Sequence, residues 1–149
     1  MTPTERRPRS VDVAFWLLVA GAVLLMAGGM LAATLGYDTL RSAAGSSVSD
    51  QTIRDYLRFH RGAGVVCALA AVALAALVVR TRAGDPRFRR ATMGLGLAII
   101  VLVGVVAVFF GTHIFALLSL LPIIVGTLLL SRPQAAQWYA PAPDATPDV

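Results

Sequence analysis

His60 and His113 are the only imidazoles in the chain, and His60 lies in the stretch TIRDYLRFHRG, residues 52–62. That stretch also carries three arginines, an aspartate and two aromatic rings. Two imidazoles facing each other at one membrane depth could ligate a haem or a metal ion. A row of arginines could hold phosphate through paired N–H donors. No third ligand or supporting carboxylate stands near either histidine except Asp55. There is no Ser-His-Asp set, glycine-rich phosphate loop or HExxH motif. The residue types therefore predict no catalytic residue, no metal, no cofactor and no enzyme activity, with both histidines solvated at an interface. Cys67 is the single cysteine, so no intramolecular disulfide forms, and it is expected to pack as a small hydrophobe.

The elements that position these residues are apolar blocks. The chain has 149 residues, of which 57% are hydrophobic and 14% charged. Residues 13–36, 62–79, 91–110 and 114–130 contain no Asp, Glu, Arg or His. Crossing a bilayer takes roughly 17–25 apolar residues in a helix. Barrel strands would alternate polar and apolar positions, whereas these blocks are apolar throughout. The fold class is all-α: an integral membrane bundle of four transmembrane helices spanning residues 10–132. Thr34, Ser119 and Thr127 are polar residues within the spans, and each is expected to bond its own helix backbone.

The net charge of +5 comes from thirteen arginines and no lysine. No soluble basic domain is present to use it, so nucleic acid is not an expected partner. Arg6, Arg7, Arg9, Arg80, Arg82, Arg87, Arg89, Arg90 and Arg132 fall on one side of the four spans; Arg41, Arg54, Arg58 and Arg61 fall on the other. Basic residues near span ends concentrate in the cytoplasm, so both termini are expected there, in a plasma membrane. The first apolar run is too long for a cleaved signal peptide, whose apolar core is roughly 7–15 residues.

Between the spans, residues 37–61 form an external loop. Ser49 or Asp50 is suited to cap a helix over 50–61. On that helix Ile53, Tyr56, Leu57 and His60 share one face, and Arg54, Arg58 and Arg61 share another. This short amphipathic juxtamembrane helix either lies on the leaflet or extends the second span. Its arginines are expected to contact lipid headgroups or a partner protein. In residues 82–90, Gly84 suits a helix end, and Asp85 with Pro86 suits a helix start. Ser10 or Asp12 is expected to cap the first span, and Pro122 to kink the fourth.

Small residues at four-residue spacing let helices approach closely in lipid. Gly28, Gly64, Gly104 and Gly111 are the expected packing glycines, mainly within the bundle. Trp16, Arg132, Trp138 and Tyr139 read as anchors at headgroup level. Residues 1–9 read as a cytoplasmic arm and 133–149 as a disordered cytoplasmic tail.

The two ends of the membrane region resemble small four-span membrane proteins of actinobacteria. Those share an R-x-V-x-x-A/S-F-W opening, met by Arg9, Val11 or Val13, Phe15 and Trp16. They also share an R-P-x-x-x-x-aromatic close, met by Arg132, Pro133, Trp138 and Tyr139. The resemblance implies a four-span fold and a cell-envelope setting, with no activity attached. The first span lacks the acidic residue that small multidrug exporters carry there. Intramembrane charge marks transport pathways, and the spans have none. The expected function is that of a non-catalytic accessory or scaffold subunit of a cell-envelope complex, in contact with the lipid bilayer and with another membrane protein or copies of itself. A small oligomeric transporter or channel is the alternative.

Overall fold

The computed structural model describes residues 9–139, and in it the four apolar blocks become four long helices. These are α1 (Arg9–Thr34), α3 (Asp50–Thr81), α4 (Pro86–Phe110) and α5 (Ile114–Ser131). All four are long and apolar enough to cross a membrane. Two short helices join them: α2 (Tyr37–Ala43) between the first and second spans, and α6 (Pro133–Trp138) after the fourth. The chain is thus an all-α, multi-pass membrane protein.

Each long helix buries one stripe and leaves the rest to lipid. On α1 the stripe is Val11, Ala14, Leu18, Gly21, Ala22, Leu25, Gly28 and Gly29. Its steps of three and four match one face of a 3.6-residue helix. The opposite faces are strongly exposed and apolar, as at Val23, Leu69, Val101, Val108, Leu121 and Leu128. Lipid is as apolar as leucine, so close packing rather than water exclusion holds such helices together.

The four spans form a ring in chain order. α1 packs on α3 and α5, α4 packs on α3 and α5, and α1 lies diagonal to α4. Glycines mark the tightest seams. A Cβ on Gly28 would lie 2.8 Å from the Ala116 nitrogen, and one on Gly64 would lie 2.5 Å from the Gly29 oxygen. Large side chains fill other glycine hollows: Ile123 sits over Gly21, and Leu18 sits over Gly126. Gly104 and Gly111 do not belong to these seams, because a Cβ at either would meet nothing within 4 Å. Gly104 is turned away from the bundle. Gly111 instead supplies the positive φ of 72° that ends α4, a conformation glycine adopts without a Cβ clash.

Helix ends follow local chemistry. The Ser49 side chain accepts from the Thr52 amide and starts α3, while Asp85 accepts from the Arg87 amide ahead of Pro86. Gly84 turns the chain at φ 84°. Helix α1 is already formed at Arg9, so Ser10 and Asp12 sit inside its first turn rather than before it. Helix α5 runs unbroken through Pro122.

At the ends one open alternative is decided and one expectation changes. Residues 50–61 are continuous with the second span, and α3 carries them as its first three turns. Residues 133–139, expected as part of a disordered tail, are ordered instead: α6 is helical, and Ala135 and Tyr139 are buried. Pro133 fits the first turn of α6, where its missing N–H costs nothing. The rest of the expected arm and tail, residues 1–8 and 140–149, lies outside the described residues.

Candidate functional site

The chemistry-bearing residues gather at the two ends of the bundle, and the α2 end holds both histidines. A cleft of about 300 Å³ there is lined by Leu35, Leu40, Tyr56, His60, Gly111, Thr112 and His113. α3 supplies Tyr56 and His60, the α4–α5 turn supplies Gly111 to His113, the α1–α2 joint supplies Leu35, and α2 supplies Leu40.

His60 is not solvated. It is only 4% exposed, and both ring nitrogens face carbonyl oxygens. Nδ1 lies 3.2 Å from the Tyr56 oxygen and Nε2 lies 3.3 Å from the Gly111 oxygen. The Tyr56 ring stacks on the imidazole at 3.9 Å, and Phe59 meets it edge-on at 5.8 Å. A neutral imidazole has one N–H and donates to one of these carbonyls; an imidazolium donates to both. With its proton on Nε2, or as the imidazolium, the ring donates to the Gly111 carbonyl and so ties α3 to the α4–α5 turn, whereas the Tyr56 carbonyl belongs to α3 itself. Its burial reflects position: Ile53, Leu57, His60 and Gly64 continue the buried stripe of α3 toward Ala71, Leu74 and Val78. That continuation was readable in the sequence, because steps of four, three and four already aligned His60 with Gly64.

His113 is half-buried and precedes α5 without a side-chain cap bond. His60 and His113 therefore share one cleft, but both ring nitrogens of His60 lie against backbone carbonyls. Among the described residues no group of three or more His, Cys, Asp or Glu side chains is placed to hold a metal ion. The cleft is a structural joint with room above it.

Its clasp gives an expected result. His60→Ala should speed amide hydrogen exchange across residues 111–116 about fivefold to tenfold, the equivalent of about 1 kcal/mol from one lost hydrogen bond. His113→Ala should leave that exchange near wild type. Equal exchange in wild type and His60→Ala would mean that the imidazole does not hold the turn.

The arginines at this end have separate roles. Arg61 donates through Nε and Nη2 to the Leu35 carbonyl, at 3.2 and 2.8 Å, and closes the C-terminal end of α1. Arg54 and Arg58 are exposed on α3. Arg41 donates to the Val48 carbonyl at 2.8 Å and pairs with Asp50 at 3.4 Å, folding the α2–α3 connection back. Asp50 also hydrogen-bonds the Tyr37 side chain, which holds that phenol above its ordinary pKa.

The opposite end is a polar clasp that the sequence did not announce. Thr81 and Thr92 hydroxyls meet at 2.9 Å and lie 2.7 and 2.8 Å from the Leu77 and Phe88 carbonyls; one hydroxyl donates to its own helix carbonyl while the other donates to that hydroxyl or to its own carbonyl. The Tyr139 hydroxyl donates to the Thr81 carbonyl at 3.1 Å. Arg89 donates through Nε and Nη2 to the Leu130 carbonyl, at 2.9 and 2.7 Å, with its guanidinium 5.7 Å from the Tyr139 ring. Arg82 pairs with Asp12 at 3.5 Å and stacks over Phe15 at 4.3 Å.

Tyr139 is therefore a buried lock, 3% exposed, rather than a headgroup anchor. Trp138 packs against Gly84 and the Tyr139 ring. Trp16 is exposed at 64%, and Arg132 is exposed where α5 gives way to α6. Within the spans, Thr34 and Ser119 bond their own helix carbonyls. Thr127 departs from that expectation: its hydroxyl is buried over Gly96 with no hydrogen-bond partner.

Among the described residues neither end assembles a nucleophile, base and orienting group. The arrangement joins helices and closes helix termini. No protein-family model, curated protein or solved structure matches the chain.

Proposed function

We propose that the chain is a non-catalytic accessory or scaffold subunit of a cell-envelope complex, seated in the plasma membrane with both termini in the cytoplasm. One observation carries this reading. Among the described residues the fully buried polar side chains, His60, Thr81, Thr92 and Ser119, are each hydrogen-bonded in place, and the buried hydroxyls without a partner, those of Ser10 and Thr127, carry no charge. Leu18, Leu25, Leu74, Ile99 and Ile123 fill the interior between the two ends. No relay of titratable groups runs through that interior, and transport pathways are built from such groups. The resemblance of the chain's ends to four-span actinobacterial proteins supports the envelope setting.

The outward face of α4 favours a lateral partner. Gly94 and Gly104 have no neighbour within 4 Å of an added Cβ, and Leu97, Val101 and Val108 on the same arc are exposed. Glycine inside a helix costs about 1 kcal/mol relative to alanine, and here no described residue uses the space. A photocrosslinker at Val101 in the native host should give a discrete adduct with a different membrane protein. An adduct of twice the chain's mass, with ion flux in proteoliposomes, would favour the transporter reading and sink this one.

Orientation has its own test. In a Cys67→Ser background, a cysteine at Ser46 should react with an impermeant maleimide on intact cells. A cysteine at Ala83 should react only after permeabilisation. The reverse pattern would overturn the orientation drawn from the arginine distribution.

A further inference from the structure

We propose that the outer groove between α1 and α3 binds one anionic phospholipid of the leaflet on the α2 side. An acyl chain lies in the groove, and the phosphate sits at Arg58 and the free edge of Arg61. Two apolar hollows of about 300 and 350 Å³ lie along this seam and join at Met26 and Met30. The groove exists because the helices cross in near-contact at Gly29 and Gly64, with alanines flanking the seam. Met side chains are unbranched and adjust to an irregular neighbour such as an acyl chain.

Charge at one end of the groove selects the occupant. On α3 the positions 54, 58, 61, 65, 68 and 72 advance in steps of three and four, so they form one row on one face. The first three are arginines, and the last three line the groove. From Arg58 to Val72 the rise is about 21 Å at 1.5 Å per residue, which suits a phosphate above and an acyl chain below. Arg58 is exposed and makes no ion pair or hydrogen bond with any described residue. Arg61 spends Nε and Nη2 on the Leu35 carbonyl and leaves Nη1 open. The nearest carboxylate on this helix, Asp55, is about a sixth of a turn round from Arg58 and accepts from the Gln51 side chain at 3.4 Å rather than pairing with Arg58. A phosphate at headgroup level would accept charge-assisted hydrogen bonds from both guanidinium groups. A second copy of the chain is a poor occupant. Two copies in one orientation, related by a two-fold axis through the groove, would bring their arginine rows together.

The test uses the full chain in dodecyl maltoside, exposed to an equal mixture of dioleoyl phosphatidylglycerol and phosphatidylcholine and read by native mass spectrometry. The expected result is one phosphatidylglycerol retained in preference to phosphatidylcholine. Arg58→Gln should reduce that retention about tenfold, the scale of one lost hydrogen bond to a charged group. Val65→Trp should displace both lipids by filling the groove, at a position 51% exposed where a larger side chain has room. Arg90→Gln, an exposed arginine at the opposite end, should change nothing. Soluble glycerol phosphate should fail to compete, because it lacks the acyl chain. Equal retention of the two lipids, or wild-type retention in Arg58→Gln, would overturn the proposal. So would competition by glycerol phosphate, or a dimer that Val65→Trp dissociates while phosphatidylglycerol stays bound.

Discussion

Gly64→Leu should lower the thermal stability of the detergent-solubilised protein far more than Gly104→Leu, although both place the same side chain on a membrane helix. At Gly64 the first added carbon would lie 2.5 Å from the Gly29 oxygen and 2.7 Å from the Ala33 nitrogen. Both are backbone atoms of α1, so no rotamer change relieves the clash and the helices must separate. Overpacking a close seam costs typically about 1–3 kcal/mol and sometimes more. With backbone on both sides, the upper end of that range or beyond is expected. Separation would also open the reciprocal contact, in which Gly29 approaches the Gly64 oxygen and the Ala68 nitrogen. At Gly104 a leucine would enter lipid and change stability by a few tenths of a kcal/mol at most. Equal melting temperatures for the two variants would mean that α1 and α3 do not meet at Gly64.

Tyr139→Ala should be the second severe change, despite lying beyond the last span. The ring is 3% exposed and packs beside Val11, Leu18, Val78 and Leu130 at the terminal end of the bundle. Removing a buried aromatic ring typically costs about 3–5 kcal/mol, since the surroundings close only in part. Tyr139→Phe separates packing from bonding. It keeps the ring and loses the hydrogen bond to the Thr81 carbonyl, which still accepts from the Gly84 amide at 3.2 Å. That variant should lose only about 1 kcal/mol. If Tyr139→Ala melted like wild type, α6 would be an ornament on the bundle rather than its closure.

The contrast between Gly64 and Gly104 also shows what the sequence disclosed. Hydropathy located four spans because lipid demands unbroken apolar helices, and Ser49, Asp85, Pro86 and Gly84 marked helix ends through local chemistry. Spacing alone could not say which glycine row faces protein, because rows in lipid and rows in a seam look alike. Gly28 and Gly64 lie in seams, while Gly104 faces outward. Tyr139 and His60 were misplaced for a related reason. Both sit near span ends, where aromatic and imidazole groups usually prefer the interface. Long-range partners decided otherwise: the Thr81 carbonyl for one and the Gly111 carbonyl for the other. The arginines were legible as a charged row on α3. Diversion of Arg61 to the Leu35 carbonyl was not, because the end of α1 meets α3 only in the folded chain.

The ring of helices sets a timetable for synthesis. Helix α1 emerges first, yet one of its two seams waits for α5, the last span. Gly28 must meet Ala116, which is made roughly ninety residues later. At the usual pace of translation that interval is on the order of 5–20 s. Throughout it, the α5-facing side of α1, with its bare glycines, lies open to lipid or to other newly made helices. A ribosome that stalls before the fourth span would therefore release a three-helix intermediate with a vacant, glycine-lined berth.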